Sequence, residues 1–160
     1  MTCTNKAVFT RLATLADLAS IAPLFNAYRQ FYEQADDLAV ATTFIQERLA
    51  KAESVIILAL DDTKRAVGFC QLYPSFCSVE AAPIYALYDL FVSPQARRTG
   101  AARALLRAAH GYAAQTGRVR MDLTTARTNA SAQALYESEG WVQDAVFLTY
   151  NKVVAETQML

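Results

Sequence analysis

Apolar positions along the chain follow two periods in turn, and each switch of period predicts an element. Ala7, Val8, Phe9 and Leu12 make residues 6–12 a first strand. From the capping residue Thr14 the spacing becomes helical, through Leu18, Ile21, Leu24, Phe25, Tyr28 and Tyr32. Pro23 lies inside this pattern and predicts a kink or a late start. Residues 34–38 break the pattern at Asp36 and Asp37, and 38–51 predicts a second helix with Phe44, Ile45 and Leu49 inward. Residues 54–60 and 66–73 read as a hairpin around the polar run 61–65, and 74–83 as an irregular connection. Residues 85–92 are apolar except for Asp89 and read as a buried strand that Pro94 ends. After a turn at 95–100, Ala102, Leu105, Ala109, Tyr112 and Ala113 mark the inner face of a helix that Gly117 stops. A strand at 119–125, a short helix halted by Gly140, and strands at 141–142 and 147–154 complete the chain. The outline is β-α-α-β-β-β-α-β-α-β-β, an α/β (α+β) fold with a mixed central sheet and helices on its faces.

Composition narrows this picture without redirecting it. The chain has 160 residues, 54% of them hydrophobic and 19% charged, enough for one domain spanning 1–160 with a sizeable core. Lys plus Arg and Asp plus Glu are both 15, so no global basic field points to nucleic acid. No apolar run approaches the ~18 residues of a membrane span, and the first residues lack the apolar core of a signal peptide. A cytoplasmic location is the expectation. Cys3, Cys70 and Cys77 form no C-x-x-C pair, and with one histidine in the chain no metal site is expected.

Candidate chemistry enters at the turn. Arg97, Arg98, Thr99, Gly100, Ala101 and Ala102 open a helix. The first N–H groups of a helix lack internal partners, and its dipole favours negative charge there. Gly100 lets a ligand approach the backbone, and the two arginines add charge at the rim. Such a turn suits a phosphate or pyrophosphate; it is equally readable as a helix start with two solvated arginines. Neither G-x-G-x-x-G nor G-x-x-x-x-G-K-[ST] occurs, which removes the Rossmann and P-loop readings.

Two motifs carry a family resemblance. Leu87-Tyr-Asp-Leu-Phe-Val-Ser-Pro94 followed by Arg97-Arg-Thr-Gly-Ala-Ala102 resembles the acetyl-CoA signature of the GNAT superfamily of N-acetyltransferases, Q/R-x-x-G-x-G/A after a strand of the type L-x-D-L-Y/F-V-x-P. Downstream, Asn129-Ala-Ser-Ala-Gln-Ala-Leu-Tyr136 and Glu-Ser-Glu-Gly-Trp141 resemble the family's N-x-x-A-x-x-x-Y-x-x-x-G-F/W run. The resemblance covers nearly the whole chain. It implies the GNAT fold, whose fourth and fifth strands splay to form the acetyl-CoA cleft, and homodimers through the last strands, where Val153, Val154, Met159 and Leu160 could take part. It implies that backbone groups of Leu90, Phe91 and Val92 pair with pantetheine and the thioester oxygen. The N–H groups from Arg98 to Arg103, including Thr99, Gly100, Ala101 and Ala102, would receive the pyrophosphate. Asn129 and Ala132 match positions on the far side of the cofactor arm.

Tyr136 matches the family's tyrosine, whose hydroxyl protonates or orients the CoA thiolate; free tyrosine titrates near ~10 and suits that task. The chain also resembles the spermidine/spermine acetyltransferases and the yeast histone- and polyamine-modifying enzymes. In the former a glutamate acts as base where this chain has Tyr88. Asp89 is the neighbouring acid, on the opposite strand face by alternation; it reads either as the base or as a structural hydrogen-bond hub. Tyr28, Tyr32 and Glu33, with Tyr85 and Tyr88, are the candidate acceptor pocket, since aromatic walls with an acid suit a cationic amine. Tyr28 and Tyr32 read equally as an i, i+4 core pair. The function implied is acetyl transfer from acetyl-CoA to a primary amine; the alternative is a non-catalytic acyl-CoA-binding module on the same fold.

Overall fold

The computed structural model describes residues 7–155; Cys3, Met159 and Leu160, and the predicted strand start at Lys6, lie outside that range. Five strands form one sheet in sequence order: β1 (Phe9–Leu12), β2 (Val55–Leu60), β3 (Ala66–Cys77), β4 (Ala82–Val92) and β5 (Met121–Asp122). The first four are antiparallel neighbours, and β5 runs parallel to β4. The helices are α1 (Leu18–Phe31), α2 (Leu38–Ala50), α3 (Ala101–Gln115) and α4 (Ala130–Ser138). No helix among the described residues is long and apolar enough to cross a membrane.

Local chemistry sets most boundaries. The backbone N–H of Thr14 donates to Asp17 (2.8 Å), and a 3-10 turn at Leu15–Asp17 leads into α1. Pro23 is carried within α1, exposed, and does not end it. Asp37 caps α2 by accepting from the N–H of Val40 (2.9 Å). β2 is buried over most of its length, as expected of a strand with helices on both faces. One face packs Ile21, Phe25, Ala41 and Ile45 of α1 and α2 on Ile56, Leu58, Phe69 and Phe91. The other packs Leu105, Leu106, Ala109 and Ala113 of α3 on Ile57, Cys70, Leu72, Tyr85 and Leu87.

Three expectations are corrected. Residues 74–83 are not an irregular connection, because β3 continues to Cys77 and β4 begins at Ala82. Pro74 is tolerated there because β2 ends opposite Leu72, so β3 has one neighbour beyond that point. The strand expected at 119–125 shrinks to Met121–Asp122: Val119 and Arg120 still bond to Pro83 and Tyr85, but beyond Asp122 the chain no longer pairs with β4. Residues 141–142 and 147–154 form no strand; Trp141 is half-buried against the core and the others are exposed.

β4 also carries a bulge. Gln71 faces Asp89 and Leu72 faces Leu87, so Tyr88 is an extra residue in the ladder. In a regular strand residues 85, 87, 89 and 91 share one face. The bulge breaks that parity: Tyr85 and Leu87 pack with α3, whereas Phe91 packs with α1 and α2. Gly68 fits this crossing of β3 and β4 because a Cβ there would lie 2.7 Å from the Phe91 carbonyl and 3.1 Å from Val92 Cγ2. Gly68→Ala is therefore expected to cost about 1–3 kcal/mol of stability, read as a lowered urea midpoint. An unchanged midpoint would contradict the close approach.

Candidate active site

β4 and β5 pair only at Tyr85–Met121 and Ala86–Asp122. Beyond them, residues 87–92 of β4 keep β3 on one side and an open edge on the other. That edge, roughly 20 Å of strand, presents unpaired backbone groups along one wall of a cleft. Leu90 and Val92 are half-buried toward α3 and Phe91 is buried toward α1.

The cleft runs down to the start of α3. A 3-10 turn (Pro94–Ala96) ends β4, and the Thr99 hydroxyl donates back to the Ala96 carbonyl (2.7 Å). Arg98 and Gly100 both have left-handed backbone, with φ of 64° and 87°. Such turns aim successive N–H groups into one concavity. Ala104 is the first residue to bond back into the helix, to the Gly100 carbonyl (2.9 Å). The N–H groups of Ala101, Ala102 and Arg103 thus have no helical acceptor. Among the described residues nothing lies within 4 Å of a Cβ placed on Gly100, so the backbone is uncovered on that side of the turn. Arg97 and Arg98 are exposed at the rim.

Asp89 sits at the bulge, buried at 4% exposure, in a chain of polar side chains through an apolar sheet. The Ser54 hydroxyl donates to the Gln71 side-chain carbonyl (2.7 Å), and the Gln71 amide donates to the Asp89 carboxylate. Tyr28 of α1 comes to the same place: its hydroxyl donates to the carbonyl of Tyr88, the residue before Asp89 (3.3 Å). Burial raises the Asp89 carboxyl above the usual range, and the bonds from Gln71 and Tyr28 offset part of that rise. Tyr28 is raised too, by burial and then by the Asp89 charge. Tyr73 is pushed up to about 12 for the same two reasons.

The two walls approach through aromatic rings. Tyr28 meets Tyr32 edge-on (5.1 Å between centroids), and Tyr32 is near enough to raise the Tyr136 phenol. Burial is the larger cause of that rise, and the Thr125 side chain offsets it in part. Tyr136 projects from α4 against Trp141 (6.2 Å). α4 starts at Asn129, whose side-chain oxygen accepts from the Ala132 N–H (3.3 Å). It is tied to α3 at its other end, where Glu139 takes both Arg103 and Arg107, the latter at 2.8 Å.

Tyr28, Tyr32, Tyr88, Asp89 and Tyr136 therefore gather about the cleft. Tyr85 does not, which corrects its assignment to the acceptor pocket. It is buried on the α3 face, stacked on Tyr112 (6.0 Å) with the Arg118 guanidinium over its ring (4.7 Å). Strand parity ahead of the bulge puts it there. Tyr88 is 70% exposed with its ring against Tyr73 (5.5 Å), and Glu33 is exposed at the end of α1. Arg103 faces Glu139. Asn129 and Ala132 form a cap, which leaves the Asn129 amide nitrogen for another partner. Sequence reasoning missed Ser54, Gln71 and Glu139. Gln71 was findable as the one amide within the apolar run 66–73; nothing local marks Glu139. A separate cavity of about 380 Å³ behind the α3 loop, lined by Asp61, Arg65, Ser93, Gln95 and Thr99, contains none of the gathered groups.

An open strand edge leading to free helical N–H groups beside a left-handed glycine fits a long ligand that ends in phosphates. The chain belongs to the acetyltransferase (GNAT) family, which it matches over residues 19–141. It is an acyltransferase that uses acetyl-CoA. It is 48% identical to YhfO, an uncharacterized N-acetyltransferase of Bacillus subtilis (strain 168), over 88% of this chain and 93% of that one. A probable acetyltransferase of Haemophilus influenzae is 33% identical, over 74% of this chain and 80% of its own. The crystal structure of a probable acetyltransferase superposes with a TM-score of 0.86 at 40% identity, covering 94% of this chain and 99% of that one. An aminoglycoside N-acetyltransferase solved with CoA shares the fold at 18% identity and a TM-score of 0.77, covering 95% of this chain and 99% of that one.

Proposed function

We propose that the chain, as one domain, moves an acetyl group from acetyl-CoA to a primary amine, with Asp89 as base and Tyr136 as acid. The acceptor classes in view are a small amine, a polyamine, an amino-acid derivative and a protein lysine. The observation that carries the reading is Asp89, a buried carboxyl that accepts from Gln71 at the β4 bulge, on the stretch of β4 whose other edge is open. A carboxyl with a raised pKa is a better proton acceptor at neutral pH than an ordinary one.

When bound, acetyl-CoA supplies an acetyl group activated as a thioester. The free edge at Leu90, Phe91 and Val92 holds the extended arm of that ligand, and the N–H groups from Arg98 to Arg103 hold its phosphates. Asn129 and Ala132 border the arm on the α4 side. Tyr28, Tyr32 and Tyr88, with Glu33 at the rim, receive the amine as a cation against aromatic faces. The ammonium must lose a proton before it can attack. Because Asp89 is buried, the proton passes through Tyr28, whose hydroxyl swings from the Tyr88 carbonyl to give its own proton to Asp89 as it takes the one from nitrogen. Tyr136, kept protonated by its raised pKa, gives its phenolic proton to the departing sulfur. Positioning by the two walls supplies the rest. The unpaired thiols Cys70 and Cys77 agree with a cytoplasmic location.

The test is thiol release from acetyl-CoA against amines of the four classes. Release with one class supports the reading and names the acceptor. Release with none, at concentrations where CoA binds, would overturn amine transfer.

A further inference from the structure

The helix that carries Tyr136 is thinly held. No residue of α4 is buried, although Leu135 and Tyr136, with Trp141 beyond its end, lean on the α3 core. Its side-chain hydrogen bonds are mostly local. Asn129 accepts from the Ala132 N–H, Gln133 donates to the carbonyls of Ala126 and Arg127, and the Ser138 hydroxyl donates to the Leu135 carbonyl. Glu139 is the exception. One carboxylate oxygen accepts from Arg107 Nε (2.8 Å); the other accepts from Arg107 Nη2 (3.1 Å) and from Arg103. Among the described residues this is the one side-chain hydrogen-bonded tie from α4 to another element.

Glu139 stands at the C-terminal end of α4, where the helix dipole disfavours a carboxylate. Two cations offset that cost: Arg107 as a fork on both oxygens, and Arg103 beside it. They hold the carboxyl below its usual value, Arg107 more than Arg103. A lone exposed ion pair contributes little; here both oxygens are taken and the Glu139 side chain is largely covered. The two arginines lie one turn apart on α3, and Arg103 also offers one of the free N–H groups at the start of that helix. Tyr136 precedes Glu139 by three residues, so the two are neighbours on one side of α4. The Glu139 N–H also bonds the Tyr136 carbonyl (3.0 Å). One residue thus joins the start of α3 to the turn that bears the phenol.

We propose that Glu139 is a positioning residue for Tyr136: by gripping Arg103 and Arg107 it fixes how α4 lies on α3, and so where the Tyr136 hydroxyl stands. The proposal rests on the reading of Tyr136 as the acid. Without Glu139, α4 keeps only the apolar lean of Leu135, Tyr136 and Trp141, and apolar contact has no direction. A reacting group displaced by about 1 Å can lose roughly a hundredfold in rate.

Glu139→Ala should lower kcat by about tenfold to a hundredfold without weakening CoA binding. Combined with Tyr136→Phe, it should be no slower than Tyr136→Phe alone, within about twofold, because a residue that acts through the hydroxyl has nothing left to act on. Losses that multiply in the double variant would overturn the proposal, as would a wild-type kcat in Glu139→Ala. A second readout needs no turnover. Trp141, the one tryptophan of the chain, lies against Tyr136 and follows Glu139 by two residues. Its emission should move to the red in Glu139→Ala, as the indole meets water, and stay in place in Tyr136→Phe, which keeps the ring. An unmoved emission in Glu139→Ala would overturn the clamp whatever Tyr136 does. Wild-type turnover in Tyr136→Phe, with the emission of Glu139→Ala shifted, would instead remove the acid and the positioning role with it, leaving Glu139 as the seat of α4. Should Glu139→Ala lose its fold, Arg107→Gln breaks the fork from its exposed side, and the same two readouts decide.

Discussion

Tyr136→Phe is expected to lower kcat by about two orders of magnitude, the scale of a lost general acid, while CoA affinity and melting temperature stay near wild type. The substitution removes one oxygen and keeps the ring. The ring is what packs: it lies against Trp141, on a helix held by the Asn129 cap at one end and by Glu139 with Arg103 and Arg107 at the other. None of these contacts needs the hydroxyl. The chemistry does, because a thiolate leaves poorly without a proton, and burial keeps this phenol protonated throughout the neutral range. Steady-state kinetics with the best amine, beside CoA titration and thermal melts, separates the roles. A fall in kcat alone is the signature of the acid. A fall in melting temperature would mean that the hydroxyl holds α4 in place, and unchanged turnover would mean that the sulfur takes its proton from water.

Much of this arrangement was legible in the sequence, and the reasons for the exceptions are physical. Helices α1, α2 and α3 announce themselves because each buries a stripe against a sheet, and burial enforces the 3.6-residue period. The turn at Gly100 was legible because a left-handed residue before a helix demands a residue without a side chain. Where the reading failed, the cause was pairing at a distance. Pro74 looked like an end of structure because local chemistry forbids it in the middle of a sheet; it is allowed where β3 has lost β2 as a neighbour, which no local pattern records. Tyr85 was assigned to the acceptor pocket with Tyr88 because both are tyrosines on one strand. Alternation alone puts Tyr85 and Tyr88 on opposite faces; what shows only in the register of β3 against β4 is the bulge that also separates Tyr85 from Phe91. The strands expected at 141–142 and 147–154 do not form: their composition suits a strand, but they pair with no sheet edge among the described residues. The candidate site divides in the same way. Asp89 and Tyr136 stand out as odd residues in regular runs, whereas Gln71, Ser54 and Glu139 matter only through what they touch.

Asp89→Asn is expected to lower kcat/KM by two to three orders of magnitude and to make the fold more resistant to heat at neutral pH. The two effects have one cause. Burial lifts the carboxyl's folded pKa above its unfolded value of 3.8, and the bonds from Gln71 and Tyr28 only partly counter the lift. Below the unfolded pKa the group is neutral in both states and costs nothing. Between the two values the folded state keeps a proton that the unfolded state has lost, so stability falls as pH rises through that window. Above the folded pKa the full penalty of a buried carboxylate remains. Asparagine never ionises, and its carbonyl can still accept from Gln71, so the variant escapes the penalty. Its melting temperature should exceed that of the wild type by a margin that opens as pH climbs from about 3 and then levels off. Activity should move the other way. In the wild type, turnover should rise with pH as Asp89 loses its proton, and in the variant that ascending limb should vanish along with most of the rate. A hub that only holds the sheet would behave differently: its loss would lower the melting temperature at every pH and leave the shape of the rate profile intact. A stability gap that does not vary with pH, or a variant with wild-type turnover, would therefore remove Asp89 as the base and leave it a structural role.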